Sequence, residues 1–215
     1  MTRLVIFDLD GTLLNTLGDL AESCDHVLKK NGLPQHTFEE YCHFIGTGVT
    51  RLVERAIPEN LRTRETVIRL REEFVDYYSH HIAVHTTPYP GIPELLNALT
   101  DRKIKIAVAS NKFQQGTEKL IRLFFPHIPF IAVCGQREDI PLKPDPRMIL
   151  DIMEIAGVRK DEVLYIGDSG IDMIAATEAK IRPVGVTWGF RSRDELIDNQ
   201  AFYIVNTPEE ILEIC

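Results

Sequence analysis

The residues most capable of chemistry lie in four short groups, each at or just beyond the end of an apolar run. Asp8-Leu9-Asp10-Gly11-Thr12 follows Leu4–Phe7, and Ser110-Asn111-Lys112 follows Ile104–Ala109. Leu142-Lys143-Pro144 comes one loop after Phe130–Val133, and Gly167-Asp168-Ser169-Gly170-Ile171-Asp172 follows Val163–Ile166. They supply four carboxylates (Asp8, Asp10, Asp168 and Asp172), a lysine (Lys143), a hydroxyl (Ser110) and an amide (Asn111). Such a set can move protons, attack an electrophile or hold a hard cation. Each group alone has a plainer reading. Asp-x-Asp after a strand is common turn chemistry, and Ser110-Asn111 can be a helix cap. Lys143 alone reads as a solvated lysine, and Asp168 as an N-cap with Asp172 on an exposed helix face. Four such groups in this order are far more specific than any one of them.

The elements that must position these groups follow from periodicity. The apolar runs, with Val184–Val186 as a fifth, have the length and near-continuous apolarity of parallel strands covered on both faces. Helix-period stretches alternate with them: Ile149, Ile152, Met153 and Ala156 share one face, as do Leu95, Leu96 and Leu99. Strand and helix in alternation predict an α/β fold, a doubly wound parallel sheet with a Rossmann-like core and right-handed crossovers. Ligands of such sheets bind at the carboxyl ends of the strands, where the four groups would gather.

The stretch 16–84 breaks the alternation, with no convincing strand. Helical spacing runs through Leu20, Cys24, Val27 and Leu28, through Leu52, Val53, Ala56 and Ile57, and through Val67, Leu70, Phe74 and Tyr77. Pro58 should stop the middle helix, and Pro88-Tyr89-Pro90-Gly91 marks the return to the sheet. The expected organisation is a catalytic core of residues 1–15 and 85–215, with an inserted helical cap of residues 16–84.

Composition narrows the partners. A formal charge of -8 argues against a nucleic-acid or anionic-membrane surface. It leaves room for an anionic substrate, because a local metal ion reverses the sign of a site. Cys24, Cys42, Cys134 and Cys215 form no CxxC pair and read as free thiols in a reducing compartment. Leu4–Phe7 is too short for a signal peptide or a membrane span, so a cytoplasmic location is expected. His80, His81 and His85 read as surface or hinge residues rather than a metal cluster. Trp188 and Phe190 read as packing at the core edge, Arg191 and Arg193 as solvated, and Met148 and Met153 as core filler. Oligomeric state is left open.

The ordered set Asp8-x-Asp10-Gly11-Thr12, Ser110-Asn111, Lys143-Pro144 and Gly167-Asp168-x-x-x-Asp172 resembles the haloacid dehalogenase-like hydrolase superfamily over nearly the whole chain. The segment from Ile45 to Ala56 is similar, over a shorter stretch, to phosphoglycolate phosphatases within it. Asn15 and Lys180 stand where that pattern often has aspartate and glycine, and neither position is catalytic.

The resemblance implies roles. Asp8 would attack phosphorus and form an aspartyl-phosphate, with Asp10 as acid and then base. Mg²⁺ would be held by Asp8, Asp168 and a main-chain oxygen of Asp10, with Asp172 behind them fixing the metal waters or Lys143. Lys143 would supply positive charge, and Ser110 and Asn111 would bind phosphate. The metal answers an electrostatic need. A carboxylate and a phosphate dianion about 4 Å apart repel by roughly 8 kcal/mol at an effective dielectric near 20. In the cap, Gly46, Gly48 and Arg51 are candidates to read a substrate carboxylate, or else form a helix-start turn with a surface arginine. The expected substrate is a small-molecule phosphate ester, phosphoglycolate first. Alternatives are a nucleotide, pyrophosphate or sugar phosphate, including a mutase reaction, or a binding module with a phosphorylatable aspartate.

Overall fold

The computed structural model describes residues 1–215. Its centre is the strand β1 (Leu4–Phe7), every residue of which is buried. A strand with apolar side chains on both faces must be covered on both, and the alternation of two neighbouring cores shows that it is. Val5 and Phe7 join one apolar cluster, while Leu4 and Ile6 join the other.

β4 (Lys105–Phe113) and β5 (Phe130–Gln136) extend the sheet on one side of β1. β6 (Val163–Gly167), β7 (Arg182–Val186) and β8 (Tyr203–Val205) extend it on the other. The order is β5-β4-β1-β6-β7-β8, and every pair is parallel. The expected doubly wound α/β sheet is therefore present. The chain builds outward from β1 through β4 to β5 and then crosses to β6. β1 thus sits at the topological switch, where ligands of such sheets bind.

Helices α5 (Ile92–Asp101) and α6 (Gln114–Phe124), with the C-terminal α10 (Pro208–Ile214), bury Leu95, Leu96, Leu99, Leu120, Ile121 and Ile211 in the first cluster. On the other face, α7 (Arg147–Ala156) and α8 (Gly170–Glu178) bury Met148, Ile149, Ile152, Met153, Ala175 and Ala176. Met148 and Met153 are the core filler expected. α9 (Arg193–Asp198) precedes β8.

All five apolar runs are strands, and four of the five strands extend beyond their run. The second begins one residue later, at Lys105, and runs on to Phe113, so Ser110, Asn111 and Lys112 lie within β4. Its pairing with β5 is irregular between Ala109 and Phe113, which frees those residues from a regular ladder. β8 was not anticipated, being three residues at the sheet edge. A two-residue antiparallel pair, β2 (Leu14–Asn15) with β3 (Thr87–Pro88), also escaped the periodicity.

Between β2 and β3 the chain is helical: α1 (Leu17–Lys30), α2 (Phe38–Phe44), α3 (Val49–Ala56), one 3₁₀ turn and α4 (Arg64–His81). α3 stops as Pro58 requires, with Ile57 extended at ψ 149. α4 buries Val67, Leu70, Phe74 and Tyr78. Tyr78, rather than the expected Tyr77, continues the face, because the step after Phe74 is four residues. Tyr77 instead stacks between His26 and His81. Asp19, in the first turn of α1, fastens the two connections together. It is 2% exposed and accepts from the main-chain N–H groups of His85 and Thr86, at 2.8 and 2.9 Å, and from the Thr86 hydroxyl. No helix is long and apolar enough to cross a membrane.

Candidate active site

Three carboxylates, Asp8, Asp168 and Asp172, meet at the ends of β1 and β6. Each offers an oxygen within 4.8 Å of the other two. No other group of three or more His, Cys, Asp or Glu side chains is so placed, and His80, His81 and His85 do not form one. Lys143 is the only cation that closes on the cluster. Its Nζ lies 2.9 Å from Asp8 Oδ1 and 2.8 Å from Asp172 Oδ1, and it donates to the Tyr165 hydroxyl at 2.9 Å.

Burial costs these groups their hydration, and the charges do not balance. Burial pushes Asp8 up to about 7; Asp172 and Asp10 add to the shift, and Lys143 opposes it. Burial likewise holds Asp168 well above the usual carboxylate range, reinforced by Asp172 and Asp8. For Lys143 burial works against the charge, but Asp172 and Asp8 outweigh it and keep the ammonium well above its ordinary value. Three buried acids facing one base leave an excess of negative charge. A hard divalent cation among these oxygens removes it, so the donor set fits such an ion.

The members of the cluster are not equally free. Asp172 Oδ1 accepts from Lys143 and Tyr165, and Oδ2 accepts from the N–H and hydroxyl of Ser169. Its oxygens are occupied by the protein, so it orients Lys143 rather than facing the cavity. Asp168 accepts one bond, from the Phe190 N–H at 2.7 Å. Gly11, at φ +83, lets the chain turn so closely that a Cβ there would strike the Asp168 carboxylate. Asp8 accepts from Leu9 N–H and Lys143 on Oδ1 alone, and Oδ2 has no partner in the protein.

Asp10 turns its side chain away from this cluster. The Thr16 hydroxyl donates to it at 2.7 Å, and Lys112 Nζ lies 3.1 and 3.4 Å from its two oxygens. A cavity opens over Asp8, Asp10, Ser110, Asn111 and Lys112. Its opposite wall comes from the helical segment: Leu20, Ile45, Gly46, Gly48, Val49 and Leu52.

The fold agrees with that of known proteins. The family model for haloacid dehalogenase-like hydrolases matches residues 5–186. The chain belongs to the haloacid dehalogenase-like hydrolase family. A phosphoglycolate phosphatase of Agrobacterium fabrum is 34% identical over 88% of this chain and 82% of its own length. One from Aquifex aeolicus is 28% identical over 99% and 96%. A solved structure from Lactobacillus delbrueckii subsp. bulgaricus superimposes with a TM-score of 0.94 at 33% identity, covering 100% of this chain and 98% of that one.

Within this haloacid dehalogenase-like hydrolase, Asp8, Asp10, Ser110, Asn111, Lys143, Asp168 and Asp172 all lie around one end of the sheet. Arg51 takes the second of its two readings, a surface arginine: it lies outside the cavity, its side chain 62% exposed and paired with Glu54. Gly46 and Gly48 do line the cavity. The Asn111 side chain is spent on the backbone: its amide donates to the carbonyls of Gly46 and Lys143, and its oxygen accepts from Lys143 N–H. It therefore ties β4 to the helical segment and to the Lys143 loop, and its side chain has no free donor for a phosphate. Arg191, expected in solvent, is only 11% exposed and donates to the Ile45 carbonyl at 2.7 Å, beside the same loop. Arg193 is exposed as expected. Trp188 and Phe190 pack against the core, and the Trp188 indole also donates to Thr12. Lys112 was read only as part of the strand end. Its direct neighbours Ser110 and Asn111 were the available signal.

Proposed function

We propose that this hydrolase cleaves small phosphate monoesters, with Asp8 as nucleophile and phosphoglycolate as the leading substrate. The names of its relatives point to that substrate. The observation that carries the chemistry is the state of Asp8. It lines the cavity, both its partners sit on Oδ1, and Oδ2 is unbonded and open to an incoming phosphorus.

Oδ2 attacks the phosphorus and gives an aspartyl-phosphate, dividing one displacement into two. Asp10, held by Thr16 and Lys112, protonates the departing ester oxygen and then takes a proton from the attacking water. Lys143 holds Asp8 in place and offsets its charge, and Asp172 holds Lys143. Ser110, buried at the cavity wall, binds the transferring phosphoryl group with nearby main-chain N–H groups. Asp8, Asp168 and the Asp10 main-chain oxygen would hold Mg²⁺, which would supply positive charge against the repulsion between carboxylate and phosphate. Residues 16–84 act as a cap that excludes water over a core of residues 1–15 and 85–215. The setting we propose is cytoplasmic.

The test is turnover of phosphoglycolate and of a generic aryl phosphate by purified protein. Both are hydrolysed with Mg²⁺, and a chelator stops both. No hydrolysis across a broad phosphate panel would sink the enzymatic reading and favour a phosphorylatable binding module.

A further inference from the structure

The reaction scheme uses Lys143 fully but leaves most of Lys112 unexplained. Lys112 is a buried cation, its side chain 2% exposed, in the wall of the same cavity. Its Nζ contacts Asp10 and sits 4.6 Å above the ring of Tyr78. Tyr78 comes from α4, is fully buried, and has a hydroxyl with no partner. The ring supports the charge from below without neutralising it.

No other lysine or arginine lines this cavity. Arg51 is exposed with Glu54. Arg55 donates to the carbonyls of His43 and Phe44; Arg191 donates through Nη2 to that of Ile45 and keeps an unpaired Nη1 behind Gly46, outside the lining. Lys143 is taken up by Asp8, Asp172 and Tyr165. The wall from the helical segment is apolar side chain and glycine backbone. An anionic group entering beyond the phosphoryl position meets Lys112 as the one lysine or arginine of the cavity lining.

Position defines which anion. Asp10 must touch the ester oxygen to protonate it, so a cation touching Asp10 stands at the leaving-group end. In the ester of a short 2-hydroxy acid, the carboxyl carbon is two bonds from that oxygen. Its carboxylate therefore falls beside whatever borders Asp10. We propose that Lys112 is a specificity-determining residue that pairs with a carboxylate on the leaving group, and that the enzyme selects phosphate esters of short 2-hydroxy acids through it. This rests on the phosphatase reading above and assigns the carboxylate contact to Lys112 rather than Arg51.

The test compares phosphoglycolate with 2-hydroxyethyl phosphate, a neutral analogue of similar size, in the full-length enzyme with Mg²⁺. The unaltered enzyme prefers phosphoglycolate in kcat/KM by about tenfold or more. In Lys112→Met both esters lose some rate, because Asp10 loses its partner. Phosphoglycolate loses roughly tenfold further, chiefly in KM, and the preference collapses. Lys112→Arg keeps part of the preference. Equal losses for both esters would reduce Lys112 to a support for Asp10 and overturn the proposal. A preference near one in the unaltered enzyme overturns it without any variant, whatever the folding of Lys112→Met. Hydrolysis of neither ester would instead overturn the phosphatase reading, and this inference with it.

Discussion

The floor of the cavity is built from charge and its roof from hydrocarbon. The floor is lined by Asp8, Asp10, Ser110, Asn111 and Lys112, and behind it Asp168, Asp172 and Lys143 crowd around Asp8, each tied by the protein to a definite partner. On the roof, Leu20, Ile45, Val49 and Leu52 present side chains with no charge at all. The contrast divides the work. A phosphoryl group needs fixed charges on rigid elements, since a small misplacement of a nucleophile costs much of its rate. A leaving group needs dry shape, which apolar side chains on a helical layer supply.

The sharpest test of that division is Asp8→Asn. Loss of activity should be on the order of 10⁴, while thermal unfolding stays unchanged or rises, because a crowded buried charge has been removed. Aspartyl-phosphate trapping by rapid quench should fail in this variant. Near-normal turnover would mean that the floor does not react as its geometry proposes.

Lys143→Met breaks the same floor in the opposite way. It strands Asp8 and Asp172 without a counter-charge, and breaking a buried pair costs about 3–5 kcal/mol. Activity should fall by orders of magnitude and the melting temperature should fall as well. The two variants thus separate an acid that the fold tolerates from a base that it requires. Equal melting temperatures for both would erase that distinction.

The crowding also sets a pH dependence that can be read without activity. Asp8 is raised from 3.8 to about 7 in the folded chain. The native state therefore binds more protons than the unfolded one between these values, and stability falls as pH rises through that window. A cation that favours the ionised form restores what is lost. The gain in melting temperature on adding Mg²⁺ should accordingly be larger near pH 8 than near pH 5. A gain independent of pH would place the ion away from these carboxylates.

The floor was also the part legible in the chain. Asp8 and Asp168 follow closely on apolar runs, with Asp10 and Asp172 a few residues further on, and a parallel strand fixes where its last residues point. The roof was less legible, because its residues act through backbone and through partners far away in sequence. Asn111 reaches Gly46, and Arg191 reaches Ile45. No local pattern marks such pairs. Lys112 carries no local mark in the sequence, because the apolar run ends at Ala109. A run of polar residues resembles a loop until an irregular ladder is found to hold it in β4. Tyr77 was preferred to Tyr78 because a spacing of three and a spacing of four fit a helix equally well.

Gly48→Ala probes the roof through its backbone. Gly48 sits at φ 85, and a Cβ there would lie 3.3 Å from Leu142 Cδ1 and 3.5 Å from the Asn111 carbonyl oxygen. Positive φ with ψ 162 is a region open essentially only to glycine, and holding a side chain there costs roughly 1–3 kcal/mol. The expected result is a modest fall in melting temperature and a rise in KM of several-fold, with kcat less affected. A loss of kcat as large as that of Lys143→Met would make the roof part of the phosphoryl machinery.

The smallest effect belongs to Arg51→Ala, and its smallness is informative. Arg51 lies on α3 two residues after the cavity residue Val49, so in the sequence it looks like the cation of a carboxylate site. Two residues along a helix are a rotation of about 200°, enough to turn it away from the face that Val49 presents. Its side chain is 62% exposed, and its partner Glu54 shares the same outer face. A surface pair of this kind contributes about 0–1 kcal/mol. Removing the guanidinium should leave the melting temperature almost unchanged and alter kcat/KM by no more than about twofold for carboxylated and neutral esters alike. A loss confined to phosphoglycolate would show that the helical layer swings Arg51 inward when substrate binds. The roof would then carry charge after all, and Lys112 would no longer be needed to explain how an uncharged wall receives an acid.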